Sequence, residues 1–243
     1  MAPACRTNGA LPSGELFAFL DRLLEKDQII QVLTAILGTT HVIGRNVICP
    51  QNDIPGYDDD MRIKFMDKQN GYRASVARGE VKMKNGLARP ASKMRELEKY
   101  SCDAEKSAYE SAKQCSATTP LSGEYDENLY VLDDASDVLK AVDSWWSEVS
   151  KLEMDQKATR NSYNSSYGIP NFANMVWDSH NEVGCAFAKC STGKTHVVCH
   201  YAPKVKAEGK QIYKMGPTCR RCHDYESGGA LGMCYNGLCV IPS

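Results

Sequence analysis

Ten of the eleven cysteines lie between Cys49 and Cys239, with Cys5 set apart near the start. No other feature limits the fold as much. An even number of thiols confined to one region (Cys49, Cys102, Cys115, Cys185, Cys190, Cys199, Cys219, Cys222, Cys234 and Cys239) reads as five disulfides, made in an oxidising compartment. Spacing does not fix the connectivity, since ten cysteines admit about 945 pairings. Zinc is the competing use, and its best candidate is Cys219-Arg-Arg-Cys222-His223 with Cys234 and Cys239. That reading would leave the remaining cysteines without a role. Pro217 and Gly228-Gly229 mark a loop-rich segment rather than the strand-helix setting of a redox Cys-x-x-Cys.

Composition removes several function classes. With 42% hydrophobic and 24% charged residues, the 243-residue chain can bury a substantial core. A net charge of −1 gives no global attraction to nucleic acid or an anionic membrane. No stretch reaches the roughly 20 apolar residues of a membrane span. Nor does the chain open with a basic start, an apolar run and a small-residue cleavage site. Residues 1–48 are therefore read as an extension, helical or disordered. They are either of vector origin or stand where a leader was removed. Leu16, Phe17, Phe19, Leu20, Leu23 and Leu24 carry the helical spacing.

The body begins at Cys49-Pro50. Helices are expected over residues 60–77, over 102–115 with a stripe of Ala104, Ala108 and Ala112, and from Ser136-Asp137 to about Lys151. Strands are expected over 182–189 and 195–201, the second rich in β-branched and aromatic residues. Residues 156–167 read as a loop, and Asn164-Ser165-Ser166 within it is an N-glycosylation acceptor. Beyond Lys204 apolar periodicity vanishes. The expected organisation is thus the extension 1–48, a main domain over 49–203, and a disulfide-held tail over 204–243.

Six blocks, in order, carry a resemblance. They are Gln69-Asn70-Gly71-Tyr72-Arg73 with Ala77-Arg78-Gly79, Ser101-Cys102-Asp103-Ala104-Glu105 with Cys115, and Asp126-Glu127-Asn128-Leu129-Tyr130. Ala141-Val142 with Trp145-Trp146 and Glu148 follows, then Asn171-Phe172-Ala173-Asn174-Met175-Val176-Trp177 with Gly184-Cys185, and Val197-Val198-Cys199-His200-Tyr201-Ala202-Pro203. Over residues 49–239 the chain resembles the CAP superfamily, in the form of the activation-associated secreted proteins of parasitic nematodes. The resemblance implies an α+β fold, a three-layer α-β-α sandwich around an antiparallel sheet, with a cysteine-rich tail.

Most members of that family hold two histidines and two glutamates around a cleft. The matching positions here are Thr119, Glu127, Glu148 and Asn171, so both imidazoles are missing. No metal and no cofactor is expected on that basis. The two carboxylates could still hold calcium weakly, share a proton, or hydrogen-bond to backbone and hold loops in place. His180, His196 and His200 read as surface or structural histidines. No Gly-x-Ser-x-Gly elbow is present, and two glutamates alone do not make a glycosidase, so the chain is not expected to be an enzyme.

Binding is the expected class of function. Candidate receptor-contacting residues are Arg78-Gly79-Glu80, the acidic Asp133 and Asp134, and the basic run of Lys204, Lys206, Lys210, Lys214, Arg220 and Arg221, which suits heparan sulfate or an acidic receptor as well as it suits a solvated loop. The resemblance implies a secreted, non-catalytic effector that binds a host cell-surface receptor, of the integrin class, and inhibits adhesion of platelets or leukocytes. The alternative is a lipid- or sterol-binding protein of the same fold, with a groove at Trp145, Trp146 and Met175.

Overall fold

The protein is described here by a computed structural model covering residues 46–118, 123–153 and 161–242. The helix expected within the N-terminal extension, Cys5, Thr119 and residues 156–160 of the expected loop lie outside the described residues.

Helix α1 spans Asp59–Ala77. Asp58 caps it, its carboxylate accepting from the Met61 N–H at 2.9 Å, and Asp59 and Asp60 place negative charge on the first turn. The helix ends where Gly79 turns to φ +71°, letting the Gly79 and Glu80 N–H groups bond back to the Val76 and Ser75 carbonyls. A hairpin of β1 (Lys82–Met83) and β2 (Gly86–Leu87) follows, then β3 (Lys99–Tyr100) and α2 (Cys102–Lys113). Next come β4 (Asp126–Leu132), α3 (Lys140–Ser147) running into a 3-10 turn over Glu148–Lys151, and α4 (Pro170–Met175). Strands β5 (Glu182–Lys189) and β6 (Thr195–Ala202) complete the sandwich. Two small hairpins, β7 (Glu226–Ser227) with β8 (Ala230–Leu231) and β9 (Met233–Tyr235) with β10 (Leu238–Val240), close the chain.

The central sheet has the order β3-β5-β6-β4. Strands β5, β6 and β4 are antiparallel, while the two-residue β3 joins β5 in parallel, a departure from the expected all-antiparallel sheet. Helix α3 also starts later than Ser136-Asp137. There the Asp137 carboxylate accepts the Leu139 N–H, and i→i+3 bonds from Ala141 and Val142 tighten the entry into a turn before the helix proper.

Alternation along the strands sorts residues between two layers. Cys185, Cys199 and Tyr201 face α1, whose Gln69 accepts from the Tyr201 hydroxyl at 2.5 Å. Gly184 and His200 face α2. There the helix lies so close that a Cβ on Gly184 would sit 2.2 Å from the Glu105 nitrogen. The buried Ala104, Ala108 and Ala112 of α2 supply the small surface this approach needs.

Buried charge fixes the helices. Arg62 and Glu105, both side chains fully buried, pair through Nε–Oε2 at 2.6 Å and Nη2–Oε1 at 2.8 Å. Arg73 is fully buried and donates to the carbonyls of Arg95, Met175, Trp177 and His180, tying α1 to the segment after α4. Burial lowers its pKa to about 10.

The five disulfides join Cys49–Cys102, Cys115–Cys190, Cys185–Cys199, Cys219–Cys234 and Cys222–Cys239. The last two consume the four thiols of the zinc alternative. Ile212, Tyr213, Met215 and Leu238 from the tail lie in the same buried cluster as the sheet and helices. Among the described residues no helix is long and apolar enough to cross a membrane.

Candidate functional site

The cleft carboxylates sit in different settings. Glu127 stands on β4 directly opposite His200 on β6, and both face α2. One oxygen, Glu127 Oε2, accepts from Ser111 Oγ and contacts His200 Nε2, each at 2.7 Å. Tyr125 stacks on the His200 ring with centroids 5.1 Å apart. Glu127 Oε1 and His200 Nδ1 are buried without a hydrogen-bond partner.

Glu148 does a different job. The first residues of α4 include Pro170, and Ile169 ahead of them carries no capping oxygen. Glu148 supplies it from a distance in sequence: Oε2 accepts from the Asn171 and Phe172 N–H groups at 2.9 and 2.8 Å, and Oε1 accepts from Asn171 Nδ2 at 2.7 Å. Burial pushes the Glu148 carboxyl up from its ordinary value, with the Phe172 and Asn171 donors opposing the rise. Asn171 thus stands where the family's histidine stands and spends its amide on Glu148. The two glutamates share no hydrogen-bond partner among the described residues. Among the described residues, no three His, Cys, Asp or Glu side chains are grouped to hold a metal ion.

A buried network lies beside them that the sequence did not announce. His180 is fully buried, with Nδ1 2.9 Å from the Asn174 carbonyl and Nε2 3.1 Å from Asp126 Oδ2. Asp126 Oδ2 also accepts the Val205 and Lys206 N–H groups. Burial opposes ionisation of Asp126, but His180 and these two N–H groups outweigh it and hold the carboxyl below its ordinary value. Burial lowers the His180 pKa. Both ring nitrogens thus face oxygen acceptors, which only the doubly protonated ring satisfies with two donated N–H bonds, while burial disfavours that charge. His196 is buried as well, so none of the three histidines is a surface residue.

The candidate receptor-contacting residues fall in three separate places. Arg78-Gly79-Glu80 forms the end of α1. The guanidinium grips the Glu80 carboxylate at 2.7 and 2.8 Å and also reaches the Asn236 carbonyl at 3.0 Å. The acid of this tripeptide is thus engaged by its own arginine. Asp133 and Asp134 lie exposed in the turn after β4. Asp133 stands 3.7 Å from Lys194, and Asp134 accepts the Ser136 N–H at 2.8 Å. Lys204 donates to the Gly123 carbonyl, and Lys206 donates to the Pro170 carbonyl at 3.3 Å and lies over the Tyr163 ring. Lys210 is exposed. Among the described residues no hydrogen bond or ion pair joins one of these places to another.

Asn164 lies in a turn, its Oδ1 accepting from Ser166 N at 2.9 Å and Ser166 Oγ at 2.6 Å, with Ser165 and Ser166 exposed. Of the groove residues in the lipid alternative, Trp145 and Met175 are core, and Trp146 stacks on Tyr72 at 4.2 Å.

Comparison with known proteins agrees with this architecture. The sequence profile of the cysteine-rich secretory protein family (CAP) matches residues 66–201. Hookworm platelet inhibitor 1 of Ancylostoma caninum is 42% identical over 197 residues, 81% of this chain and 89% of that protein. The crystal structure of hookworm platelet inhibitor superposes with a TM-score of 0.62, covering 77% of this chain and 94% of the other. Ancylostoma secreted protein, also of Ancylostoma caninum, is 31% identical over 209 residues, which is 81% of this chain but 47% of that longer protein. Profile, identity and superposition converge: the chain belongs to the cysteine-rich secretory protein (CAP) family.

Proposed function

We propose that this protein is a secreted, non-catalytic effector of a parasite that binds a host cell-surface receptor and inhibits integrin-dependent adhesion of platelets or leukocytes. The observation that carries the reading is the 42% identity to hookworm platelet inhibitor 1 along nearly the whole of that protein. The state of the cleft supports the non-catalytic part. Glu148 is committed to capping α4 and Glu127 to Ser111 and His200, which leaves neither positioned as an acid or base toward an open space. Five disulfides suit an extracellular setting. The integrin step rests on the family resemblance read from the sequence rather than on a geometry in this chain.

The test is adhesion of fresh platelets and neutrophils to fibrinogen and collagen at increasing protein concentration. Labelled protein is followed on the same cells with and without integrin-blocking antibody. Dose-dependent loss of adhesion, with binding that the antibody removes, is the expected result. Saturable binding that survives the antibody would move the receptor outside the integrin class. Absence of both binding and effect would remove the reading altogether.

A further inference from the structure

A cleft of about 500 Å³ opens between the segment after α4, the loop before β3 and the tail. Its lining includes four cations, Lys93, Lys210, Lys214 and Arg221, with Asp178 the acid in its wall and Trp177 beside it. Those cations come from three stretches of chain that only the folded state brings together. The tail reaches this position because the Asp178 N–H bonds to the Ile212 carbonyl and the Lys214 N–H bonds to Asp178 Oδ2 at 2.7 Å.

The charges do not cancel locally. Lys93 and Arg221 share one carboxylate, Asp224, at 3.6 and 2.7 Å. The ammonium groups of Lys210 and Lys214 take part in no ion pair among the described residues. Asp178 is buried and already accepts the Lys214 N–H; burial pushes its carboxyl up from the ordinary value, opposed by that N–H and by the charges of Lys93, Arg73 and Lys214, and one acid does not offset four cations. The cleft is therefore a concentration of positive charge on a chain whose net charge is −1. Lys210, Lys214 and Arg221 belong to the basic run seen in the sequence, and the fold divides that run. Lys204 and Lys206 of that run are engaged elsewhere, and Lys93 joins from more than a hundred residues away.

We propose that this cleft is a binding site for a sulfated polysaccharide. Three of its four cations are lysines, compact and rotatable point charges that meet sulfate groups on a flexible chain without the fixed fork an arginine presents to a carboxylate. A polymer presents repeated anions, so one chain can engage several cations in the concavity at once. The lining lacks the exposed apolar and aromatic centre on which protein partners dock, since Trp177 is buried and Val205 half-buried. That composition favours a sugar polyanion over an acidic protein.

The experiment is calorimetric titration at physiological salt with a size-defined heparin octasaccharide. It compares the native protein, K210A/K214A, and K106A/K189A, which removes the same charge from exposed positions that do not line the cleft. Lys210 and Lys214 hold no structural ion pair, so the first variant keeps its fold, to be checked by far-ultraviolet dichroism. Two lost charge-assisted contacts predict about tenfold weaker binding for K210A/K214A, with the control pair changing less than about twofold. Desulfated heparin and polyglutamate should fail to compete. Equal losses in both variants would reduce the effect to net charge and overturn the site. Polyglutamate competing as well as heparin would make it a general polyanion surface, and inorganic sulfate competing at matched sulfate concentration would make it a single-anion site. Either outcome, or no binding at all, defeats the assignment.

Discussion

At the residue scale, single side chains hold positions that their sequence neighbours leave unfilled. Helix α4 begins at Pro170 behind a residue with no capping oxygen, and Glu148 fills the place from another element. Replacing Glu148 by alanine strands two N–H groups at a half-buried helix start. A loss of about 1.5–3 kcal/mol is expected from removing hydrogen bonds to a charged acceptor. Urea unfolding of E148A measures it, and a loss under about 0.5 kcal/mol would mean water replaces the carboxylate. His180 gives a pH signature. Its folded pKa lies below the unfolded value, so on acidification the unfolded chain takes up a proton that the native imidazole refuses. The stability it contributes is present above the unfolded pKa and is lost as pH falls below about 6.5. Glu148 and Asp178 have raised values and bind protons in the native state, which opposes the trend at lower pH. The measurement is therefore the difference in pH slope between the native protein and H180N, and identical slopes would refute the assignment.

At the element scale, some pieces could be read from sequence and others could not. Strand β5 showed partial alternation, and β6 carried a run of β-branched and aromatic residues. They appear within one residue of expectation. Helix α1 shows why periodicity alone is a weak guide in this chain. Its buried face includes Arg62, Gln69 and Arg73, each satisfied by a partner distant in sequence, while Ile63 is exposed. The late start of α3 was hidden because Asp137 can cap either a helix or a turn. The cleft glutamates were legible as positions but not as roles: Glu127 meets His200 only through β4–β6 register, and Asp126 meets His180 only because α4 folds back. The basic cleft was legible in part: the run holding Lys210, Lys214 and Arg221 stood out, but Lys93 joins it only in the fold. The alanine stripe of α2 was legible, and it supports a prediction about the interface between helix and sheet. Gly184→Ala would set a methyl 2.2 Å from the Glu105 nitrogen and 2.5 Å from the Ser101 carbonyl, backbone atoms that move only if α2 moves. Overpacking of that kind costs about 1–3 kcal/mol or more. A thermal melt within about 1 °C of the native protein would show that the helix can shift freely, since 1 kcal/mol corresponds to several degrees at this size.

At the scale of the whole molecule, the disulfides bind parts that the sheet alone does not hold. Cys115–Cys190 connects the end of α2 to the turn between β5 and β6 and spans 75 residues, whereas Cys219–Cys234 spans 15 within the tail. In the chain-entropy account a cross-link acts on the unfolded ensemble, and its effect grows with the logarithm of the loop it closes. The two loops then contribute about 4.5 and about 3 kcal/mol, a difference of about 1.4 kcal/mol. Cys115 and Cys234 are exposed, but Cys190 is buried and Cys219 half-buried, so the comparison includes a small packing loss on the long bridge. Guanidinium unfolding of C115A/C190A and C219A/C234A should accordingly show the long bridge to matter more. It should also show opposite local consequences. Loss of the tail bridge leaves the sheet and its buried Cys185–Cys199 link intact, but loosens the hairpin beside Arg78 and Asn236, which Cys222–Cys239 still tethers. Loss of the long bridge unpins α2 from the face against which Gly184 packs. If the two variants lose equal stability, native-state packing rather than loop entropy governs these bridges, and the sandwich would keep its layers without the covalent frame.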